Sequence, residues 1–165
     1  MQNNKNRPFV MILMGSDSDM PTLENTFKVL DKFGINYEVK ISSAHRTPQY
    51  TKDLIIDAEK RGCEVFIAAA GLAAHLAGAI AATTVKPVIG IPIAAALNGL
   101  DSLLSTVQMP GGIPVATVAI GSAGAKNAAY LAVQILATNN IHLHESLKSE
   151  REENAKAIID KNNRD

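Results

Sequence analysis

Phe9-Val10-Met11-Ile12-Leu13-Met14, followed at once by Gly15-Ser16-Asp17-Ser18-Asp19-Met20-Pro21, is the stretch that decides the fold. Six consecutive apolar residues without polar alternation describe a strand buried on both faces, as central strands of parallel sheets are. The polar turn then leads into a helix with Asp19 as its cap, Pro21 in its first turn, and Leu23, Phe27 and Leu30 on one face. Gly34 ends that helix. A buried strand, a short polar turn and an amphipathic helix make half of a βαβ unit, and the pattern recurs along the chain.

Working outward, Ile35 to Ile41 alternates apolar and polar residues, with strand two at Tyr37 to Ile41. Thr47 reads as an N-cap before Pro48, and the helix that follows turns Tyr50, Leu54, Ile55 and Ala58 inward before stopping near Gly62. Strands three, four and five are expected at Val65–Ala69, Pro87–Pro92 and Val115–Ile120. Ala73 to Ala82 is too rich in alanine for a strand and reads as a helix entered through Gly71. Asn98-Gly99 signals a turn, Asp101 to Val107 a short helix capped by Asp101, and Ala123 to Ala137 a longer helix. A last helix, about 141–161, carries a thin stripe of Leu143, Leu147, Ile158 and Ile159 amid many charges, suited to packing on a neighbouring subunit or on its own domain. The alternation predicts the α/β class with a five-stranded parallel sheet in one domain over 1–165, its core at about 9–137.

The chain has 165 residues, 16 of them basic and 16 acidic, and only 4% are aromatic. Neither a basic footprint nor stacking platforms are present, which sets nucleic-acid binding aside. A lone cysteine, Cys63, forms no intramolecular disulfide and builds no zinc site alone, so a reducing compartment and a structural thiol are expected. Met1 to Pro8 is polar, unlike a signal peptide, and no run reaches the roughly 18 apolar residues of a membrane span. The expected location is the cytoplasm.

Three segments could carry chemistry. In the first βα turn, Gly15 lets a backbone approach, while Ser16, Ser18 and the N–H groups of the helix start can donate to an anion and Asp19 can accept from sugar hydroxyls. A ribose phosphate suits that set. The turn is neither Gly-x-Gly-x-x-Gly nor a Walker loop, and an ordinary capped turn is its other reading. In Ser43-Ala44-His45-Arg46-Thr47-Pro48, Arg46 offers a forked donor to phosphate, and His45 an imidazole that gives and takes a proton near neutrality. Two solvated polar residues on a surface loop are the alternative there. After strand three, Ala69-Ala70-Gly71-Leu72-Ala73-Ala74-His75-Leu76 makes a dry wall in which Gly71, Ala73 and Leu76 are candidate lining residues. His75, its sole polar side chain, is either a hydrogen-bonded structural residue or a group supporting the site. Ser105 to Gly112 could close over a ligand or be a plain connector.

These segments resemble the aminoimidazole ribonucleotide carboxylase (PurE) family of purine biosynthesis, whose bacterial class I members are 5-(carboxyamino)imidazole ribonucleotide mutases. The likeness runs from about Val10 to Leu136. It rests on Gly15-Ser-Asp-Ser-Asp19, Ser43-Ala-His-Arg-Thr-Pro48, Ala73-Ala-His-Leu76, Gly99-Leu-Asp-Ser-Leu103, Val107-Gln-Met-Pro110 and Pro114-Val-Ala-Thr-Val-Ala-Ile-Gly121. The resemblance implies a flavodoxin-like three-layer α/β/α sandwich, assembled as a homo-octamer with sites near subunit boundaries, without metal or organic cofactor. By that likeness Ser16, Asp19 and Arg46 bind the ribotide, Ser18 and Ser43 line the site, and His45 is the general acid and base. Gly15, Gly71, Ala73, His75 and Leu76 complete the substrate-binding set. The implied reaction is a mutase using the ribonucleotide and CO2. Direct carboxylation by free CO2, the class II reaction, and a sugar-phosphate-binding module without turnover are the alternatives. Two departures stand out: Ala77 replaces a proline common in class I members, and the link from Gly90 to Gly99 is one residue short of common bacterial forms.

Overall fold

The computed structural model describes residues 8–162, so the polar N-terminal segment lies outside the described residues except for Pro8. Five parallel strands form one sheet: β1 (Phe9–Met14), β2 (Asn36–Ile41), β3 (Cys63–Gly71), β4 (Val88–Ile93) and β5 (Ala116–Thr117). Their order across the sheet is β2-β1-β3-β4-β5. The chain leaves β1 toward one edge and β3 toward the other, so the crevice between their carboxyl ends is the topological switch point where ligands of open α/β sheets bind.

Six helices cover the two faces: α1 (Met20–Lys32), α2 (Pro48–Lys60), α3 (Leu76–Ala81), α4 (Leu100–Val107), α5 (Ser122–Ala137) and α6 (Ile141–Asn162). The strand period of two decides which residues meet which helices. Val10, Ile12 and Met14 of β1, Val65, Ile67 and Ala69 of β3, and Ile89, Ile91 and Ile93 of β4 face α1 and α5. Met11, Leu13, Phe66 and Ala68 face α2 and α3 on the other side. α5 packs closely because Ala125, Ala128, Ala129 and Ala132 are all fully buried, and the Thr26 hydroxyl of α1 donates to the Ala125 carbonyl at 2.8 Å. The result is a three-layer α/β/α sandwich.

Several local expectations are corrected. Asp19 stands at the N-cap of α1, but its carboxylate accepts from the Ser16 N–H instead of from the helix, while Ser16 caps a 3-10 turn at Asp17–Asp19 that precedes α1. Thr47 stands at the N-cap of α2 but directs its hydroxyl back to the Ser43 carbonyl instead of the helix. Gly99, in the left-handed region at φ +84°, fills the cap position expected of Asp101. Tyr50 is half exposed, and Thr51 takes the buried place beside Ile55. The helix expected at Ala73–Ala82 shortens to Leu76–Ala81, since Leu72 adopts φ +55° where the chain turns off β3. β5 spans two residues instead of six. Beyond Thr117 the chain still follows β4, with Val118 N–H donating to the Gly90 carbonyl and Gly121 N–H to that of Pro92, but Pro92 has no N–H to return a rung.

The first half of α6 lies on its own sandwich: Leu147 and Glu150 are buried, while Ile158 and Ile159 remain exposed. The Glu150 carboxylate pairs with Lys32 and accepts from the Tyr130 hydroxyl at 2.8 Å. Burial and that contact push the Tyr130 hydroxyl up to about 12. For Glu150, burial alone would raise the pKa, but hydrogen bonds from Lys32 and Tyr130 outweigh it and hold the carboxyl below its ordinary value of 4.5. A carboxylate so lowered stabilises the fold above its unfolded pKa, and the benefit is lost as pH falls through the folded value. Glu150→Gln is therefore expected to lose roughly 1 kcal/mol at pH 7, modest because Lys32 is exposed. Urea unfolding of both proteins at pH 7 and at successively lower pH checks this, with the difference closing as the Glu150 carboxylate takes up its proton.

Candidate active site

At the switch point the carboxyl ends of the strands open onto a cleft of about 570 Å³. Gly15, Ser16, Ser18 and Asp19 line it from the β1 turn, Ser43, His45 and Arg46 from the β2 loop, and Gly71, Ala73, His75 and Leu76 from the segment after β3. A larger hollow of about 1080 Å³ at the opposite end of the sheet, bordered by Phe33, Glu59 and Asn140, contains none of these.

The β1 turn is held by reciprocal capping. Ser16 Oγ accepts from the Ser18 N–H at 3.3 Å, and Asp19 Oδ2 accepts from the Ser16 N–H at 3.2 Å. Ser18 Oγ donates to Ser16 Oγ at 2.9 Å, which in turn donates to Asp17 Oδ1 at 3.0 Å. Asp19 is buried, and that burial raises its pKa; the Ser16 N–H opposes the rise and the neighbouring Asp17 charge adds to it. Hydroxyl donors and a carboxylate acceptor thus stand within one turn.

The β2 loop is braced from its own ends. The Ser43 N–H donates to Thr47 Oγ1 at 3.0 Å, and the Thr47 N–H donates to the Ser43 carbonyl at 2.9 Å. Beneath it, the buried hydroxyls of Ser42 and Thr51 bond each other, and Thr51 Oγ1 donates to the Thr47 carbonyl. Arg46 reaches across to β1, where Nη2 donates to the Gly15 carbonyl at 3.1 Å. Its Nε also donates to Ser43 Oγ at 3.5 Å, which leaves Nη1 and the second N–H of Nη2 free for an anion. His45 Nε2 lies 2.7 Å from His75 Nδ1, with the rings edge to face at 72°.

Sequence reasoning missed the β4 contribution. Ile93, Ala94 and Ala95 extend the apolar wall formed by Ala70, Gly71, Leu72 and Ala73. The carboxyl-end rule for parallel strands would have found them. Ser105 to Gly112 does not line the cleft, and Met109 lies against Gly78 on α3. No cluster of three or more metal-ligating side chains occurs among the described residues, and no described helix is long and apolar enough to cross a membrane. Chemically, the cleft offers donors for an anion, an acceptor for hydroxyls and an imidazole facing a dry wall.

Residues 9–157 match the family AIR carboxylase. The chain is 57% identical over 147 residues to N5-carboxyaminoimidazole ribonucleotide mutase of Pyrococcus abyssi, covering 88% of this chain and 83% of that protein. It is 53% identical over 152 residues to the protein of the same name from Pseudomonas aeruginosa, covering 92% and 93%. Among solved structures it is similar to Treponema denticola PurE, with a TM-score of 0.84, 35% identity and coverage of 93% and 96%.

Proposed function

Because the chain belongs to the AIR carboxylase family, we propose that it is an isomerase of purine biosynthesis, converting 5-(carboxyamino)imidazole ribonucleotide to 4-carboxy-5-aminoimidazole ribonucleotide. The observation that carries the reading is the meeting of Arg46, Ser16, Ser18 and Asp19 with His45 around one cleft having an apolar wall. Ser16, Ser18, Ser43 and Arg46 hold the ribotide, and Asp19 accepts from it. Gly15, Gly71, Ala73 and Leu76 shape the floor on which the heterocycle rests.

An aminoimidazole is an electron-rich enamine, so its C4 attacks CO2 without activation, provided CO2 stays close and water is excluded. His45 protonates the carbamate nitrogen, the N–C bond breaks with its electrons remaining on nitrogen, and CO2 is released against the Ala-Gly wall. C4 then captures CO2, and His45 removes the C4 proton to restore aromaticity. One residue thus closes the proton cycle, and no cofactor takes part. Relatives named as mutases favour this route over direct carboxylation.

Two measurements test the reading. Purified protein is offered the N-carboxylated ribotide, or aminoimidazole ribonucleotide with bicarbonate and carbonic anhydrase. Faster turnover of the first supports the mutase, and faster turnover of the second overturns it. The reading also takes the chain as one cytoplasmic domain assembled as a homo-octamer through which α6 contacts a neighbour. Leu100, Leu104 and Val107 support the assembly, forming an exposed apolar stripe on α4 that the exposed Leu97 adjoins just before the helix. Light scattering is expected to give about eight times the 17.5 kDa chain mass, and a monomer would remove the assembly.

A further inference from the structure

His45 has two ring nitrogens, and the proposed reaction needs one of them to lose and regain a proton. Its Nε2 is engaged at 2.7 Å by His75 Nδ1, while its Nδ1 has no protein partner among the described residues. The pair is not a chance encounter of two loose side chains. His75 is the residue before α3, its N–H donating to the Ala73 carbonyl at 2.8 Å and its carbonyl accepting from Ala79 at 2.9 Å. His45 rides on the loop braced by Ser43, Thr47 and Thr51. Both rings are therefore carried by backbone fixed from below, and both line the cleft.

Only one hydrogen fits between the two nitrogens. Were it carried by His75 and donated to His45 Nε2, a neutral His45 would hold its own hydrogen on Nδ1, and giving that up would leave an imidazolate. Were it carried by His45 Nε2 and donated to His75, a neutral His45 would expose a lone pair on Nδ1. Protonation there gives an imidazolium that can release the same proton again. Only the second arrangement supports an acid-base cycle.

We propose that His75 is a positioning residue: its Nδ1 accepts the Nε2–H of His45, fixing the tautomer and assigning Nδ1 of His45 as the nitrogen that carries the proton in the reaction. This rests on the reading of His45 as the acid and base. In each turnover the Nδ1 proton passes to the carbamate nitrogen as the N–C bond breaks. The proton released from C4 returns to Nδ1, and the hydrogen shared with His75 stays where it is.

The test joins a spectrum to kinetics. The protein has four histidines, so 15N labelling with single substitutions assigns each ring. Neutral His45 in the wild-type protein is expected to show a protonated Nε2 and a bare Nδ1, and in His75→Leu a mixture of tautomers. His75→Leu is expected to lower kcat about tenfold to a hundredfold, within the reach of a misdirected acid-base group, with little change in KM. His75→Asn, whose carbonyl can accept where Nδ1 did, is expected to recover most of the loss. A wild-type His45 signal with hydrogen on Nδ1 overturns the proposal, as does an undiminished kcat in His75→Leu or an equal loss in both variants. Turnover by His45→Asn would instead overturn the acid-base reading, and the tautomer spectrum does not depend on it.

Discussion

Replacing His45 by Asn is expected to cut turnover of the carboxylated ribotide about a thousandfold while leaving ribotide binding measurable by calorimetry. Positioned acid-base groups contribute about a hundredfold to ten-thousandfold, and because the proposed mechanism gives both proton transfers to one residue, the loss is set at the middle of that range rather than at its foot. Binding persists because the anion donors are elsewhere: Arg46 is anchored on the Gly15 carbonyl and the serines are held by their own turn. Asn retains a polar group of similar reach but cannot act as an acid or base near neutrality. A variant within tenfold of wild type would remove His45 from the chemistry. Loss of binding together with turnover would show that the side chain holds the ligand instead.

Substituting Gly124 by Ala is expected to be the most damaging small change in the fold. A methyl group there would sit 1.6 Å from the carbonyl oxygen of Ala119, and the obstacle is backbone, with no rotamer to move. The opposing segment is also tied down, since the Gly121 N–H donates to the Pro92 carbonyl and the Ala125 N–H to that of Gly121. Relief requires moving α5 or the chain after β5, both packed against β4. The expected cost is at least about 3 kcal/mol, at the upper end of overpacking effects, or a fall in Tm of about 6–12 °C for a chain of this size. A thermal scan within 2 °C of wild type would mean that the helix start yields easily.

Where hydrophobic pattern and buried environment coincide, the elements are readable in the sequence. β1 is legible to the residue because all six of its side chains are buried, and an apolar run only six long that ends at a polar turn has the length of a strand rather than of a helix. β5 was over-read because Val115 to Ile120 has strand composition, whereas its ladder depends on a donor that Pro92, in the neighbouring strand, does not have. Helix propensity misled from Ala73 to His75: turning the chain off β3 requires a left-handed residue at Leu72, and that tertiary demand outranks the preference of the two alanines. Within the cleft, the β1 turn and the His-Arg loop are legible as polar segments at the carboxyl ends of strands, where the cleft opens. The pairing of His45 with His75 was not, because residues thirty positions apart meet only once β1, lying between β2 and β3, fixes their spacing.

The two borders of the sheet carry a consequence for how this molecule can meet copies of itself. β5 offers only two residues of ladder beyond β4, too short a template for an incoming strand. At the other border β2 sets Glu38 and Lys40 among its apolar positions, so charge interrupts the rail that a foreign strand would have to match. Runaway cross-β stacking is thereby discouraged in the native state, and the proposed closed particle would have to be built from helical surfaces rather than from strand edges.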